Sequence, residues 1–119
     1  MIHRFPSLDE FEAGQIIERK HLQWFHSNYV PDRAQMADPY ASPLRAGDHT
    51  GLPPAVVITA GFDPLRDEAQ AYAEALADAG VPTQHEEFPD LGHGFIVADA
   101  SARVREANEA LCALVAPLL

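Results

Sequence analysis

At 119 residues and 47% hydrophobic, the chain is long enough for one modest domain and too apolar to be disordered throughout. Its 18 Asp and Glu against 8 Lys and Arg, with Lys20 the single lysine, provide no basic stripe for phosphates, so neither nucleic acid nor an anionic membrane surface is an expected partner. No stretch reaches the roughly 20 apolar residues of a membrane span, residues 1–6 contain no signal-peptide core, and the single Cys112 cannot close an internal disulfide, so a soluble cytoplasmic protein is expected.

In chain order, Leu22, Phe25 and Tyr29 make a helical stripe within roughly 18–29, with Trp24 beside it, all expected to pack. Pro31, Pro39 and Pro43 then rule out long regular structure. A change of character at Gly51-Leu52-Pro53-Pro54 divides a cap-like helical segment with its proline-rich connection, 1–50, from a second unit, 51–119. That unit opens with the β-branched run 55–60, stopped by Gly61, which predicts a strand buried on both faces of a parallel sheet. Ala69, Tyr72, Ala73 and Leu76 predict a helix over 67–79, with Gly80 as its left-handed C-terminal cap. Residues 82–88 predict a strand near a sheet edge, 89–94 a loop, and 101–118 a final helix with Val104, Ala107, Leu111, Leu114, Val115 and Leu118 on one stripe. Cys112 falls in that helix and is expected to pack as a small hydrophobe. Strand, helix, strand, helix is the repeating unit of an α/β fold with a parallel sheet. Two strands leave that sheet incomplete, and the neighbour expected beside the first lies outside this chain.

Two residues follow strand C-termini, where α/β sheets gather their functional groups: Asp63 after the first strand and His93 after the second. Adjacent parallel strands about 5 Å apart would set these loops side by side, so a carboxylate can accept from an imidazole and leave the other ring nitrogen to take a nucleophile's proton. Gly92 and Gly94 flank the histidine and relieve its backbone of Cβ clashes. The plainer readings are that Asp63-Pro64 caps the following helix, and that His93 is an exposed loop residue. Asp67 and Glu68 read as acids favoured in a first helical turn, and His21 and His26 as surface residues. His3, His49 and His85 lack a companion at metal-ligand spacing, so no metal is expected. Ser7, Ser27, Ser42 and Ser101 each lack the paired glycines of a G-x-S-x-G elbow, and no His-Gly-Gly stretch offers oxyanion donors.

The segments Asp38-Pro39-Tyr40-Ala41-Ser42-Pro43-Leu44, Leu52-Pro53-Pro54-Ala55, Gly61-Phe62-Asp63-Pro64-Leu65-Arg66-Asp67-Glu68 and Leu91-Gly92-His93-Gly94-Phe95 resemble the hormone-sensitive-lipase-like bacterial esterases, in motif and spacing, over roughly 20–119. The resemblance implies the C-terminal part of an α/β-hydrolase, with Asp63 as the triad acid, His93 as the triad base, and residues 8–30 as part of a cap over the active site. It further implies a serine carboxylic ester hydrolase acting on small-molecule esters, without cofactor or metal. The family's serine elbow and oxyanion glycines are not in this sequence, so no nucleophile is assigned and the isolated chain is expected to be inactive. Two other readings stand beside it. One is a non-catalytic binding or assembly module that self-associates, or is complemented by a chain carrying the missing strands; the other is part of a peptidase of the same fold.

Overall fold

A strand of eight residues, β1 (Ala55–Phe62), and one of ten, β2 (Thr83–Gly92), form the parallel pair at the centre of the computed structural model, which describes residues 5–98 and 101–118. Pairing runs in step from Ala55 opposite Thr83 to Ala60 opposite Phe88, and then slips so that Phe62 faces Gly92. Both strands outrun the sequence expectation. Gly61 does not stop the first: a Cβ there would lie 2.1 Å from the carbonyl oxygen of Pro89, so glycine is what lets the chains cross this closely. Residues 89–92, expected as loop, continue β2 through an irregularity that places Pro89, which has no N–H to donate, where the ladder is already interrupted.

The crossover helix is α3 (Arg66–Asp78), one residue off the expected bounds. It ends in a complete Schellman motif. Gly80 sits at φ +79°, its N–H donates to Ala77 O at 2.9 Å, and the Val81 N–H donates to Leu76 O at 3.0 Å, with Leu76 and Val81 both buried. After β2 comes a short helix, α4 (Phe95–Ala98), which the sequence pattern does not signal, and then α5 (Ala102–Val115), capped by Ser101, whose Oγ accepts from Val104 N–H at 3.2 Å. The chain tightens into a 3₁₀ turn at Ala116–Leu118, because Pro117 cannot donate into an α-helix.

The core joins β1 and β2 to α5: Ala60, Phe88, Phe95, Val104 and Ala107 form one buried cluster, flanked by Ile58 and Leu91, with the Phe88 and Phe95 rings 5.1 Å apart. Val56 and Val57 are only half-buried, although their β-branched run predicts a strand covered on both faces. The two-stranded sheet is incomplete, and β1 has no second partner strand among the described residues. The same lack of cover opens the lower stripe of α5: Leu111, Leu114 and Val115 are half-buried, Leu118 is exposed, and Cys112 is exposed rather than packed.

The first half is attached at few points. A one-turn helix, α1 (Pro6–Glu10), precedes α2 (Arg19–Tyr29), and Arg19 links them by donating to Leu8 O at 3.0 Å and pairing with Asp9. His21, read from sequence as a surface residue, is half-buried and completes a capping box: its Nδ1 accepts the Glu18 N–H at 3.1 Å. Leu22 is buried, but Phe25 and Tyr29 of the same stripe are exposed, and so is Trp24, which meets Phe25 edge-on at 5.4 Å. Their expected packing is not made within the described chain, where Leu22 is the buried residue of α2. Past α2 the prolines leave two 3₁₀ turns, Arg33–Ala37 and Pro43–Arg45, as expected. No helix among the described residues is long and apolar enough to cross a membrane.

Candidate active site

The β-pair carries Asp63 and His93 to the same end of the sheet. Asp63 stands one residue beyond β1 and is buried. Its Oδ1 accepts the Leu65 N–H at 2.8 Å, closing an Asx-turn, while its Oδ2 lies 2.8 Å from His93 Nδ1. One oxygen thus closes a turn and the other meets the histidine, while the capping reading fails, because α3 starts at Arg66 with Leu65 as its N-cap. Pro64 is fully buried beside it and keeps the turn from relaxing outward.

His93 is placed by β2 on one side and Phe95 on the other. Gly94 adopts φ +73°, a conformation unfavourable for any residue with a Cβ, and its carbonyl accepts the Val97 N–H at 3.0 Å to begin α4, while Phe95 drops into the core. Gly92 has no such need: its φ is not positive, and a Cβ would meet only Phe62 O at 3.7 Å. The expectation that both glycines free the loop thus holds for Gly94 alone. Asp90 grips Arg103 of α5 with two bonds of 2.6 and 2.7 Å, and the guanidinium lies over the Phe88 ring, tying the histidine strand to its helix. The charge-assisted bonds hold the Asp90 carboxyl below its usual range.

A carboxylate oxygen can only accept, so the 2.8 Å contact sets Nδ1 as the protonated ring nitrogen and leaves the Nε2 lone pair free to act as a base. The histidine side chain is one-third exposed and the aspartate side chain 11%, so the carboxylate is covered and the imidazole is open to solvent. The serines lie elsewhere. Ser7 Oγ donates to Pro64 O, Ser27 Oγ to Trp24 O and Ser42 Oγ to Met36 O, and Ser101 caps α5.

Of the other histidines, His85 and His49 have structural partners. His85 Nε2 lies 3.0 Å from the buried Thr59 hydroxyl across the strand pair, and His49 Nε2 lies 3.0 Å from Pro43 O. Among the described residues no group of three His, Cys, Asp or Glu could hold a metal ion; His3 lies outside them. His26 lines a shallow cleft with Tyr29, Met36, Ser42 and Glu68, which includes neither Asp63 nor His93. Asp67, read as favouring the helix dipole, has further partners in Arg66 and Ser7. Ser7 is 60 residues away from it in sequence, which no local pattern signals.

The profile of a family described by the alpha/beta hydrolase fold matches residues 3–97. The chain belongs to that family. Among curated relatives of this α/β-hydrolase chain, the carboxylic ester hydrolase LipN of Mycobacterium tuberculosis is 42% identical over 91 residues, 76% of this chain and 24% of the relative. Ethyl acetate hydrolase of Pseudomonas putida is 34% identical over 115 residues, 97% of this chain and 36% of its own length. A solved fungal esterase of Rhizomucor miehei superposes with a TM-score of 0.89 at 32% identity, covering 96% of this chain and 36% of the esterase. An ester hydrolase from the metagenome of Lake Arreo superposes at 0.81 with 39% identity, 95% and 36% of the two chains. The chain thus spans about a quarter to a third of the length of these relatives, which are named as ester hydrolases.

Proposed function

We propose that this chain is the acid-and-histidine part of a serine carboxylic ester hydrolase of the hormone-sensitive-lipase-like type, with Asp63 as triad acid and His93 as triad base. Residues 51–119 are, on this reading, the C-terminal part of the hydrolase domain, and residues 1–50 a cap-like segment with its connection. One observation carries it: the 2.8 Å contact between His93 Nδ1 and Asp63 Oδ2 at the C-terminal ends of two adjacent parallel strands. The names of the relatives support an ester substrate, and ethyl acetate hydrolase supports a small acyl group.

In the complete site a serine Oγ supplied from outside this sequence attacks the ester carbonyl as His93 Nε2 takes its proton. Asp63 holds the imidazole in the tautomer that makes this possible and stabilises the imidazolium that results. The tetrahedral intermediate collapses, the imidazolium gives the proton to the departing alkoxide, and an acyl-serine remains. Water attacks this ester as Nε2 again accepts a proton, which returns to the serine when the acid is released.

Co-expression of this chain with the amino-terminal portion of the Pseudomonas putida hydrolase, followed by p-nitrophenyl acetate hydrolysis and fluorophosphonate labelling, tests the reading. The pair is expected to hydrolyse and take label, with hydrolysis falling by roughly 10³-fold or more in His93→Ala and in Asp63→Asn. An active pair indifferent to His93→Ala would remove the assignment. A folded, unlabelled pair in which this chain only self-associates would favour the assembly-module reading.

A further inference from the structure

The loop that carries Asp63 is held from both ends by a single side chain. Arg66 donates from one terminal nitrogen to Gly61 O at 3.0 Å and from Nε to Asp67 Oδ1 at 2.8 Å, so its guanidinium spans the base of the 61–67 loop. Its other terminal nitrogen reaches Glu10 at 2.9 Å, and its plane lies 5.4 Å from the centre of the Phe11 ring, which in turn meets Phe62 edge-on. Ser7 closes the assembly from the opposite side. Completely buried, it donates from Oγ to Pro64 O at 2.9 Å, accepts from Asp67 N–H at 3.3 Å, and donates its own N–H to Asp67 Oδ2 at 2.8 Å. Residues 7–11 thus grip both the residue next to Asp63 and the first turn of α3. A merely adjacent segment has no reason to place a fully buried hydroxyl on Pro64 O.

We infer that the amino-terminal turn is a latch on the acid loop, with Ser7, Arg66 and Asp67 as positioning residues that hold Asp63 in register with His93. When the latch opens, Pro64 O loses the Ser7 hydroxyl and Arg66 and Asp67 lose Glu10 and Ser7, the Asx-turn at Asp63 loosens, and the imidazole loses the carboxylate that fixes its tautomer. The latch also makes the geometry of the pair depend on a segment more than fifty residues away in sequence. It rests on the reading of Asp63 and His93 as an acid–base pair and adds what holds them.

The test reads the hydrogen bond itself in the 119-residue chain. In the ¹⁵N-labelled protein the His93 Nδ1–H proton is expected downfield, and its exchange with solvent reports how often the pair opens, while the amides of Ala60 and Phe88 report global opening. Ser7→Ala and Arg66→Gln are expected to speed Nδ1–H exchange roughly tenfold while leaving the core amides as they were. Glu10→Gln, which removes only the outer partner, is expected to speed it about twofold. Unchanged Nδ1–H exchange in Ser7→Ala and Arg66→Gln, or equal acceleration of Nδ1–H and core amides, overturns the latch. Should either variant lose its dispersed amide spectrum, Arg66→Lys decides, since it keeps the charge and stem but not the fork: faster Nδ1–H exchange supports the proposal and wild-type exchange refutes it. The Asp63→Asn control separates the two layers. If it abolishes a downfield signal that the latch variants leave intact, only the latch fails; if no such signal exists in the unaltered chain, the pair fails and the latch with it.

Discussion

Residues 5–54 and 55–118 are held in different ways. The carboxy-terminal unit owns a core, in which Phe88, Phe95, Val104 and Ala107 close over Ala60, while the amino-terminal half buries only Phe11 and Leu22 among its large apolar side chains. What secures the first half instead is a few polar anchors: Ser7 on Pro64 and Asp67, Glu10 on Arg66, and Arg19 on Leu8. Burial is cooperative and spreads its strength over many neighbours, whereas an anchor acts only where its atoms meet. The candidate site sits where the two modes join, with the anchors on Pro64 and Asp67 after its aspartate and the core residue Phe95 after its histidine.

Truncating Phe88 attacks the core side of that contrast most directly. Phe88→Ala is expected to cost about 3–5 kcal/mol, read from the urea midpoint, and a loss below about 1 kcal/mol would mean the second half does not hold the structure. Gly61→Ala comes next. The new Cβ would collide with Pro89 O, and the strain, roughly 1–3 kcal/mol, should appear as a lowered midpoint together with a shifted Pro89–Leu91 spectrum. Removing the Ser101 cap with Ser101→Ala is expected to cost about 1 kcal/mol and to fray α5 at Val104, visible in amide exchange.

On the anchor side, pH is the gentler probe. Burial on its own would raise the Asp67 carboxyl, but the Arg66 side chain and the Ser7 N–H more than offset this and hold it below the ordinary 3.8. Asp67 therefore binds its proton less readily in the folded chain than in the unfolded one. Its contribution is complete above the ordinary value and disappears as pH falls below it, through the lowered folded-state value. Protection of the Ser7 amide should accordingly persist down to about pH 4 and fail beneath it, and Asp67→Asn should remove that acid limb; protection that fades near neutrality would contradict the anchor. The smallest effect is expected at Trp24. Because its ring is exposed, Trp24→Ser should move the midpoint by no more than about 0.5 kcal/mol, and a core-sized loss would show that α2 packs in a way the described chain does not contain.

In the second half, local periodicity located β1 and α3. The β-branched run at 55–60, the helical spacing from Ala69 to Leu76 and Gly80 as a stop are repeated almost residue for residue in β1 and α3. The strand extension through Pro89 was not legible, because a proline beside a glycine-containing loop reads as a break unless the partner strand is seen to bulge with it. In the first half the same reasoning placed α2 correctly and its aromatic residues incorrectly. Helical spacing tells which side chains share a face, but whether anything covers that face is a matter of neighbours.

Composition, periodicity and motif spacing thus determined the α/β order of elements, an incomplete parallel sheet, and Asp63 and His93 as the residues to examine, since each follows from contacts a few residues apart or from loops that the strand order must bring together. Tertiary structure alone decided that these two side chains meet at 2.8 Å, that Asp63 spends its other oxygen on its own turn, and that Ser7 and Arg66 hold the loop beneath it. The Asp63–His93 and Ser7–Pro64 contacts join atoms across tens of residues, and no local pattern encodes them, because their distances depend on the slip between β1 and β2 and on where a distant turn comes to rest.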